Sequence, residues 1–369
     1  MPRMYGLFRP LLFRMDAERA HKLGSSVARL AQRTSPFLVD PIFRFEHESL
    51  RQRIWDMDFP NPIGLAAGFD KNAKLVSFWT RLGFGFVEVG SVTGRPSRGN
   101  PRPRAFRLAQ DAALINRMGL NNQGADRISR RLKRTRYRGG RPLGISLAKT
   151  HDPEIIGQAG IDDFRHSFRL LAPLAGYIAL NISCPNTKEG RTFEEPDLFH
   201  LLLSAIFEER KALGLLVPVL VKLSPPYSDR VKFDSRVEEI VSISLANGVS
   251  GFIATNTASD RDDLTTPAGR LDRIGNGGLS GVPIEKRATS MVRYLHRLTS
   301  GSVPIIGVGG VHSPETAYAK IRAGASLVQV FTGLVYEGPG LVKTIKQGLV
   351  KLLEKDGFSN VREAVGIDA

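Results

Sequence analysis

The sequence predicts an α/β fold, a (β/α)8 TIM barrel preceded by an N-terminal helical extension. From residue 60 onward, short apolar, β-branched segments recur eight times, each followed by a polar or glycine-rich turn and a longer amphipathic stretch. Near-continuous apolar runs suit strands buried on both faces, and the helical stretches between them suit crossovers in a parallel sheet. Eight such units in one chain is the count of a closed barrel. A doubly wound open sheet is disfavoured because no dinucleotide-type glycine fingerprint opens the first unit.

The eight segments are Pro62–Gly68, Phe86–Val92, Pro142–Ala148, Tyr177–Ser183, Pro218–Ser224, Gly251–Thr257, Pro304–Gly310 and Ser326–Gly333. Before the seventh crossover, Ser313-Pro314-Glu315 supplies an N-cap, a first-turn proline and an early carboxylate. Residues 1–45 read differently and are set apart from a barrel domain at 46–369. Tyr5, Leu7, Phe8, Leu11, Leu12, Phe13 and Met15 cluster among arginines, and Ala20, Leu23, Val27 and Leu30 follow at helical spacing. That composition fits a helix pair lying in a bilayer interface, or a helical cap packed on the barrel bottom.

The chain has 369 residues, 52 Lys and Arg against 36 Asp and Glu, and one cysteine. A single cysteine excludes an internal disulfide framework and cysteine-cluster zinc sites, and no metal is expected. The formal charge of +16 concentrates in Arg95 to Arg107 and Arg127 to Arg141, so anionic partners or a solvated basic surface are expected. Arg3, Arg9, Arg14 and Arg19 interrupt the hydrophobic start, so neither a spanning helix nor a signal peptide is expected.

Barrel chemistry gathers at the C-terminal strand ends, and here those positions are amide-rich. The first strand leads into Gly68-Phe69-Asp70-Lys71-Asn72, the second into Ser91, the fourth into Asn181 and Cys184-Pro185-Asn186, and the sixth into Thr255-Asn256-Thr257. The fifth carries Lys222, and a loop before the third adds Asn116-Arg117-Met118-Gly119-Leu120. Asparagines offer donor and acceptor from one group, which suits a planar ring such as a pyrimidine. Lys71 and Lys222 are cations for a carboxylate or for developing negative charge. Gly307-Val308-Gly309-Gly310, with Thr332-Gly333, leaves backbone amides for a phosphate, and Gly277–Gly281 reads as a further backbone-approach loop.

In order and approximate spacing, the strings GFDKN, NRMGLNN, NISCPNT, ATNT, GGLSG, PIIGVGGV and SLVQVFTG resemble the dihydroorotate dehydrogenases over nearly the whole chain. NRMG-NN and the extension with Asp16-Ala17-Glu18-Arg19-Ala20-His21 look like the quinone-dependent class 2 members. The resemblance implies one FMN per chain, oxidation of (S)-dihydroorotate to orotate with proton removal at C5 and hydride transfer from C6, and a quinone as final acceptor in pyrimidine biosynthesis. It implies that Lys71, Asn116, Arg117, Met118, Gly119, Leu120, Asn181, Asn186, Asn256 and Thr257 bind orotate. It implies that Ala67, Gly68, Ser91, Ser146, Asn181, Lys222, Thr255, Gly281, Gly310, Phe331 and Thr332 bind the flavin, with Cys184 as catalytic base and His21 and Arg107 facing a quinone tunnel. The expected location is the cytoplasmic face of the cell membrane, as a peripheral protein in contact with lipid and without nucleic acid.

Three positions depart from the class 2 pattern: Cys184 stands where a serine is typical, Phe331 where a tyrosine stands, and Ser146 where an asparagine contacts flavin. Cys184 matches the soluble class 1 forms that use fumarate or NAD, which the N-terminal extension opposes. A tRNA dihydrouridine synthase shares the flavin barrel and cysteine but would carry an RNA-binding domain after it, and the chain ends soon after the eighth helix.

Overall fold

The computed structural model describes residues 2–34, 41–135, 140–183, 192–226 and 234–369. Eight strands close into a barrel: β1 Ile63–Leu65, β2 Phe86–Val92, β3 Leu143–Leu147, β4 Tyr177–Asn181, β5 Val219–Leu223, β6 Gly251–Ala254, β7 Ile305–Val308 and β8 Leu327–Val330. Neighbours around the ring pair in parallel, with β8 beside β1 and β5 beside β6 closing the circle. Each strand lies within the segment its apolar run predicts. Pro62, Pro142, Pro218 and Pro304, which cannot donate to a ladder, stand immediately before β1, β3, β5 and β7.

The polar tails of the segments leave the sheet and become the barrel mouth. The eighth segment is shortened most, because Thr332 begins a helix that runs to Glu337. Ser313 caps the helix Pro314–Arg322 as its sequence predicts, accepting from the Thr316 amide, while the Thr316 side chain returns the bond in a capping box.

The barrel bottom is closed by an antiparallel hairpin, Gln52–Ile54 with Met57–Phe59. Trp55 and Phe59 pack against the inward-facing Tyr177 and Phe86. The N-terminal helices are therefore not a bottom cap. Helix α1 (Pro2–Arg14) packs on Thr332–Glu337, and α2 (Ala17–Thr34) on the helix Val76–Arg81 and the strand Ala105–Leu108, so the pair lies over the mouth. Asp16 starts α2 by accepting from the amides of Glu18 and Arg19 at 3.0 and 2.9 Å.

Gly277–Gly281, expected as a loop, instead contributes the strand Gly278–Gly281, which pairs antiparallel with Ala113–Asn116 and through it with Ala105–Leu108. The backbone approach expected of its glycines does occur: a Cβ on Gly278 would lie 2.0 Å from the Thr257 hydroxyl oxygen. In the helix Ala125–Thr135, Arg130, Lys133 and Arg134 are exposed, whereas Arg131 folds back onto the Asn72 carbonyl and Gln123. Among the described residues, no helix is long and apolar enough to cross a membrane.

Candidate active site at the barrel mouth

One cavity of about 940 Å³ opens at the C-terminal ends of the strands and continues sideways beneath α1 and α2. Its inner part is polar. Asn256 donates through Nδ2 toward Asn181 Oδ1 at 3.1 Å and the Ser183 carbonyl at 2.9 Å, and Asn181 donates to Ser91 Oγ at 3.0 Å. Each amide therefore orients the next. Ser146 is fully buried in β3 and reaches this network only through Ser91, at 2.8 Å. Thr257 is held by its own amide, which donates to Asn256 Oδ1 at 2.9 Å.

Lys71 stands at the wall where the polar part meets the side arm, its Nζ donating to the Gly68 carbonyl at 2.8 Å. Burial, reinforced by the charge of Arg104, lowers its ammonium to about 8; Glu18 and Asp70 pull the other way without reversing it. Within Gly68–Asn72 the other polar residues are braces. Asp70 is buried and accepts from the amides of Lys74 and Leu75 at 2.9 and 2.7 Å, and Asn72 accepts from the Gln123 amide at 2.9 Å.

Around the second expected substrate string, Asn116, Met118, Gly119 and Leu120 line the cavity. Arg117 is outside that lining: its guanidinium is fixed on the carbonyls of Ile274 and Asn276 and lies 4.7 Å from the Phe106 ring centre. Asn122 spans Thr93 Oγ1 and the Leu120 carbonyl, both at 2.8 Å, and so fixes the turn.

Opposite, Ala67, Gly68, Lys222, Thr255, Gly281, Gly310, Phe331 and Thr332 share the wall of the same cavity. Lys222 is buried. The amides of Gly309 and Gly310 make no hydrogen bond among the described residues, and Ser280 and Thr332 pair their hydroxyls at 2.9 Å beside them. Gly310 has φ +73° and a Cβ there would come within 2.5 Å of the Glu285 Cα, so only glycine fits. Two free amides, paired hydroxyls and a buried lysine are the donors a phosphorylated, electron-accepting ring needs, so these residues fit a flavin nucleotide.

The side arm is apolar and aromatic. The Phe69 ring meets His21, Trp79 and Phe331 edge-on, with centroids 5.2, 5.3 and 5.2 Å away. Burial, then the charge of Lys71, depresses the His21 imidazole to about 4, so it is neutral at physiological pH. Arg107 donates to the Met15 carbonyl at 2.9 Å and lies over the Phe13 ring at 4.9 Å.

Three residues outside the expected set hold α2 across the mouth. Glu18 receives the buried Arg104 bidentately, at 2.9 and 3.1 Å, and Arg102 at 3.0 Å. Burial works to raise the Glu18 carboxyl, but these guanidinium contacts outweigh it and hold it below its ordinary range. Cys184 and Asn186 lie outside the described residues. Among the described residues no cluster of His, Cys, Asp and Glu could hold a metal.

A closed barrel with an amide-lined mouth, free amides for an anion and an apolar arm under a helix pair defines an enzyme that works on two ligands in series, one polar and one apolar. Residues 49–353 match the family model described as dihydroorotate dehydrogenase. A Roseiflexus sp. (strain RS-1) protein named dihydroorotate dehydrogenase (quinone) is 43% identical over 369 residues, covering 100% of this chain and 99% of its own. Proteins of the same name from Thermobifida fusca and Rhodospirillum rubrum are 40% and 44% identical, covering 98% and 99% of this chain and 96% and 94% of theirs. A crystal structure of dihydroorotate dehydrogenase from Eimeria tenella in complex with ferulenol superposes with a TM-score of 0.86 at 32% identity, over 96% of both chains. The ligand-free form of that protein gives 0.86 at 33%, over 96% of this chain and 99% of its own. The chain belongs to the dihydroorotate dehydrogenase family, whose members are flavin-dependent oxidoreductases.

Proposed function

We propose that this chain oxidises (S)-dihydroorotate to orotate with FMN held in the barrel mouth, and delivers the electrons to a quinone that enters beneath α1 and α2. The observation that carries this reading is the single cavity joining the amide cluster, the Lys222 wall and the apolar arm. An enzyme using fumarate or NAD has no use for an aromatic entrance lined by Phe8, Phe13, Phe69 and Trp79.

FMN, when bound, supplies the hydride acceptor. Lys71 neutralises the substrate carboxylate, and Asn116, Asn181 and Asn256 fix the ring through paired donors and acceptors, an orientation set in advance by the bonds from Asn116 to the Gly278 carbonyl, from Asn256 to Asn181 and from Asn181 to Ser91. Cys184, following Ser183 whose hydroxyl is fixed on the Lys222 carbonyl at 2.9 Å, takes the C5 proton on Sγ. A thiol titrates near ~8.5, so its thiolate serves as base without the activating relay a serine needs. Gly310, Thr332 and the amide of Gly309 hold the FMN phosphate, and Lys222 fixes a positive charge beside the ring.

Residues 1–45 serve quinone access and docking on the cytoplasmic face of the membrane. Leu7, Phe8 and Leu11 on α1 and Leu23, Val27 and Leu30 on α2 are exposed, and the exposed Arg9, Arg14 and Arg19 stand among them. Apolar side chains with interspersed cations suit a lipid headgroup layer.

Anaerobic half-reactions test the reading. Dihydroorotate should bleach the bound flavin, and a quinone should restore its colour while fumarate and NAD do not. Flavin that dihydroorotate leaves oxidised, or that fumarate or NAD reoxidises as fast as a quinone, would overturn it.

A further inference from the structure

We infer that the apolar arm selects a fused-ring naphthoquinone over a methoxy-substituted benzoquinone, and that Phe331 sets this selectivity. The inference rests on the quinone reading above and adds the ligand's chemical class. Phe331 stands between mouth and arm: a Cβ on Gly68 would lie 3.1 Å from its ring, its ring meets Phe69 at 5.2 Å between centroids, and it packs against the inner barrel core. With Phe69 also edge-on to Trp79 and His21, a flat ligand entering here meets aromatic carbon on several sides.

The arm's polar groups are few, and most are engaged. Tyr5 donates its hydroxyl to the Val335 carbonyl at 2.6 Å, Glu18 is taken by Arg102 and Arg104, and Lys71 donates to the Gly68 carbonyl. Arg107 uses Nη1 on Phe13 and Met15 and retains its other N–H groups, and the His21 ring borders the same space. The Arg107 N–H groups match a para carbonyl, which all quinones share, while the neutral His21 spends its one N–H on the Phe69 backbone and offers no second donor. Beyond the remaining Arg107 N–H groups and the Ser25 hydroxyl the arm has few donors for two further methoxy oxygens, and a buried acceptor without a donor opposes binding. A naphthoquinone has an apolar aromatic edge where the methoxy groups would be, and edge-on aromatic walls favour it. Phe331 brings no hydroxyl to this end of the arm.

The test uses the FMN-loaded full chain, prereduced anaerobically with dihydroorotate, and follows flavin reoxidation by stopped flow. The probes are a methyl-naphthoquinone and a dimethoxy-methyl-benzoquinone with the same short isoprenoid tail. The expected second-order rate constant is at least about tenfold higher for the naphthoquinone, which corresponds to about 1.4 kcal/mol. Benzoquinones are the stronger oxidants, so driving force runs against this outcome. Phe331→Tyr, which offers one hydroxyl, should narrow the ratio severalfold by improving the benzoquinone, and its flavin content and visible absorbance spectrum report a sound fold. Equal or reversed preference in the wild type overturns the inference and leaves the quinone reading intact; reoxidation by neither quinone overturns that reading itself. A ratio unmoved in Phe331→Tyr removes Phe331 as its determinant.

Discussion

Orotate affinity should fall with rising pH along a profile that Lys71 sets. Its ammonium is lowered to about 8 by burial, so above that pH most of the free enzyme carries a neutral amine there. A substrate carboxylate beside it favours the charged form, and binding above pH 8 must therefore take up a proton. With no other titration, affinity falls by about tenfold per pH unit beyond the midpoint, or about 30-fold between pH 7 and 9.5, roughly 2 kcal/mol. Replacing Lys71 by Met should weaken orotate at pH 7 by about 10- to 100-fold, as loss of a charge-assisted bond does, and should abolish the slope. Orotate titrations read by flavin absorbance give the profile. Calorimetry at pH 8 in two buffers of different ionisation heat should register about half a proton taken up. The variant retains every other titrating group and serves as the control. A flat affinity from pH 7 to 9.5 in the wild type, or the same slope in Lys71→Met, would refute the assignment of this lysine to the carboxylate.

Arg107→Leu should raise the KM for quinone about tenfold or more while leaving anaerobic flavin reduction by dihydroorotate untouched, because its guanidinium faces the arm and not the amide cluster; slowed flavin reduction in a folded variant would contradict that. Cys184→Ala should bind dihydroorotate yet reduce flavin at least about a hundredfold more slowly, and Cys184→Ser should retain partial activity with its optimum displaced to higher pH, since a hydroxyl is the weaker acid; stopped-flow reduction across pH decides, and near-normal rates in the alanine variant would remove the thiol from the mechanism. Lys346 is buried, donates to the carbonyls of Phe45 and Gly83 at 2.7 and 3.0 Å, and is lowered to about 7 by burial and then by Arg141. The unfolded chain then holds more protons than the native one between pH 7 and about 10.5, so unfolding free energy should rise across that window, by up to a few kcal/mol, and urea denaturation of Lys346→Met should show a shallower rise. An equally steep rise in the variant would exclude Lys346 as its source.

The barrel was legible because its strands are buried on both faces and so are written as unbroken apolar runs that no surface helix needs. Polar or glycine-rich turns behind all of them mark where the mouth lies. The bottom hairpin carries no turn signal in its sequence, for a local reason. Its turn residues, Trp55 and Asp56, adopt φ of 50° and 58°, a conformation that Asn-Gly or Gly-Gly pairs favour. The aromatic packing of Trp55 on Tyr177 and Phe59 holds that turn, and it is a tertiary fact. The strand Gly278–Gly281 was equally hidden, because its partner Ala113–Asn116 lies far away in sequence and glycine lowers any local strand signal.

Within the motifs, the sequence marks a neighbourhood and does not divide labour inside it. Asp70 and Lys71 are adjacent, yet the carboxylate turns inward to cap a turn while the ammonium meets the cavity. Asn116 lines the cavity and Arg117 faces away from it, because successive residues at the end of a strand point to opposite faces. Which member of the Asn116–Arg117 pair faces the ligand depends on strand register, and register is set by a sheet that joins the hairpin of residues 105–116 to the distant strand Gly278–Gly281. The Glu18–Arg104 pair follows the same logic at longer range. A charge in the N-terminal extension has meaning only once α2 is laid across the mouth, and there the buried guanidinium binds it at two points and fixes the roof of the apolar arm over the barrel. The arm lies beneath a helix pair whose Tyr5, Phe8 and Phe13 line it, held over the mouth by this charged cluster and by the bonds of Tyr5, Arg9 and Arg107.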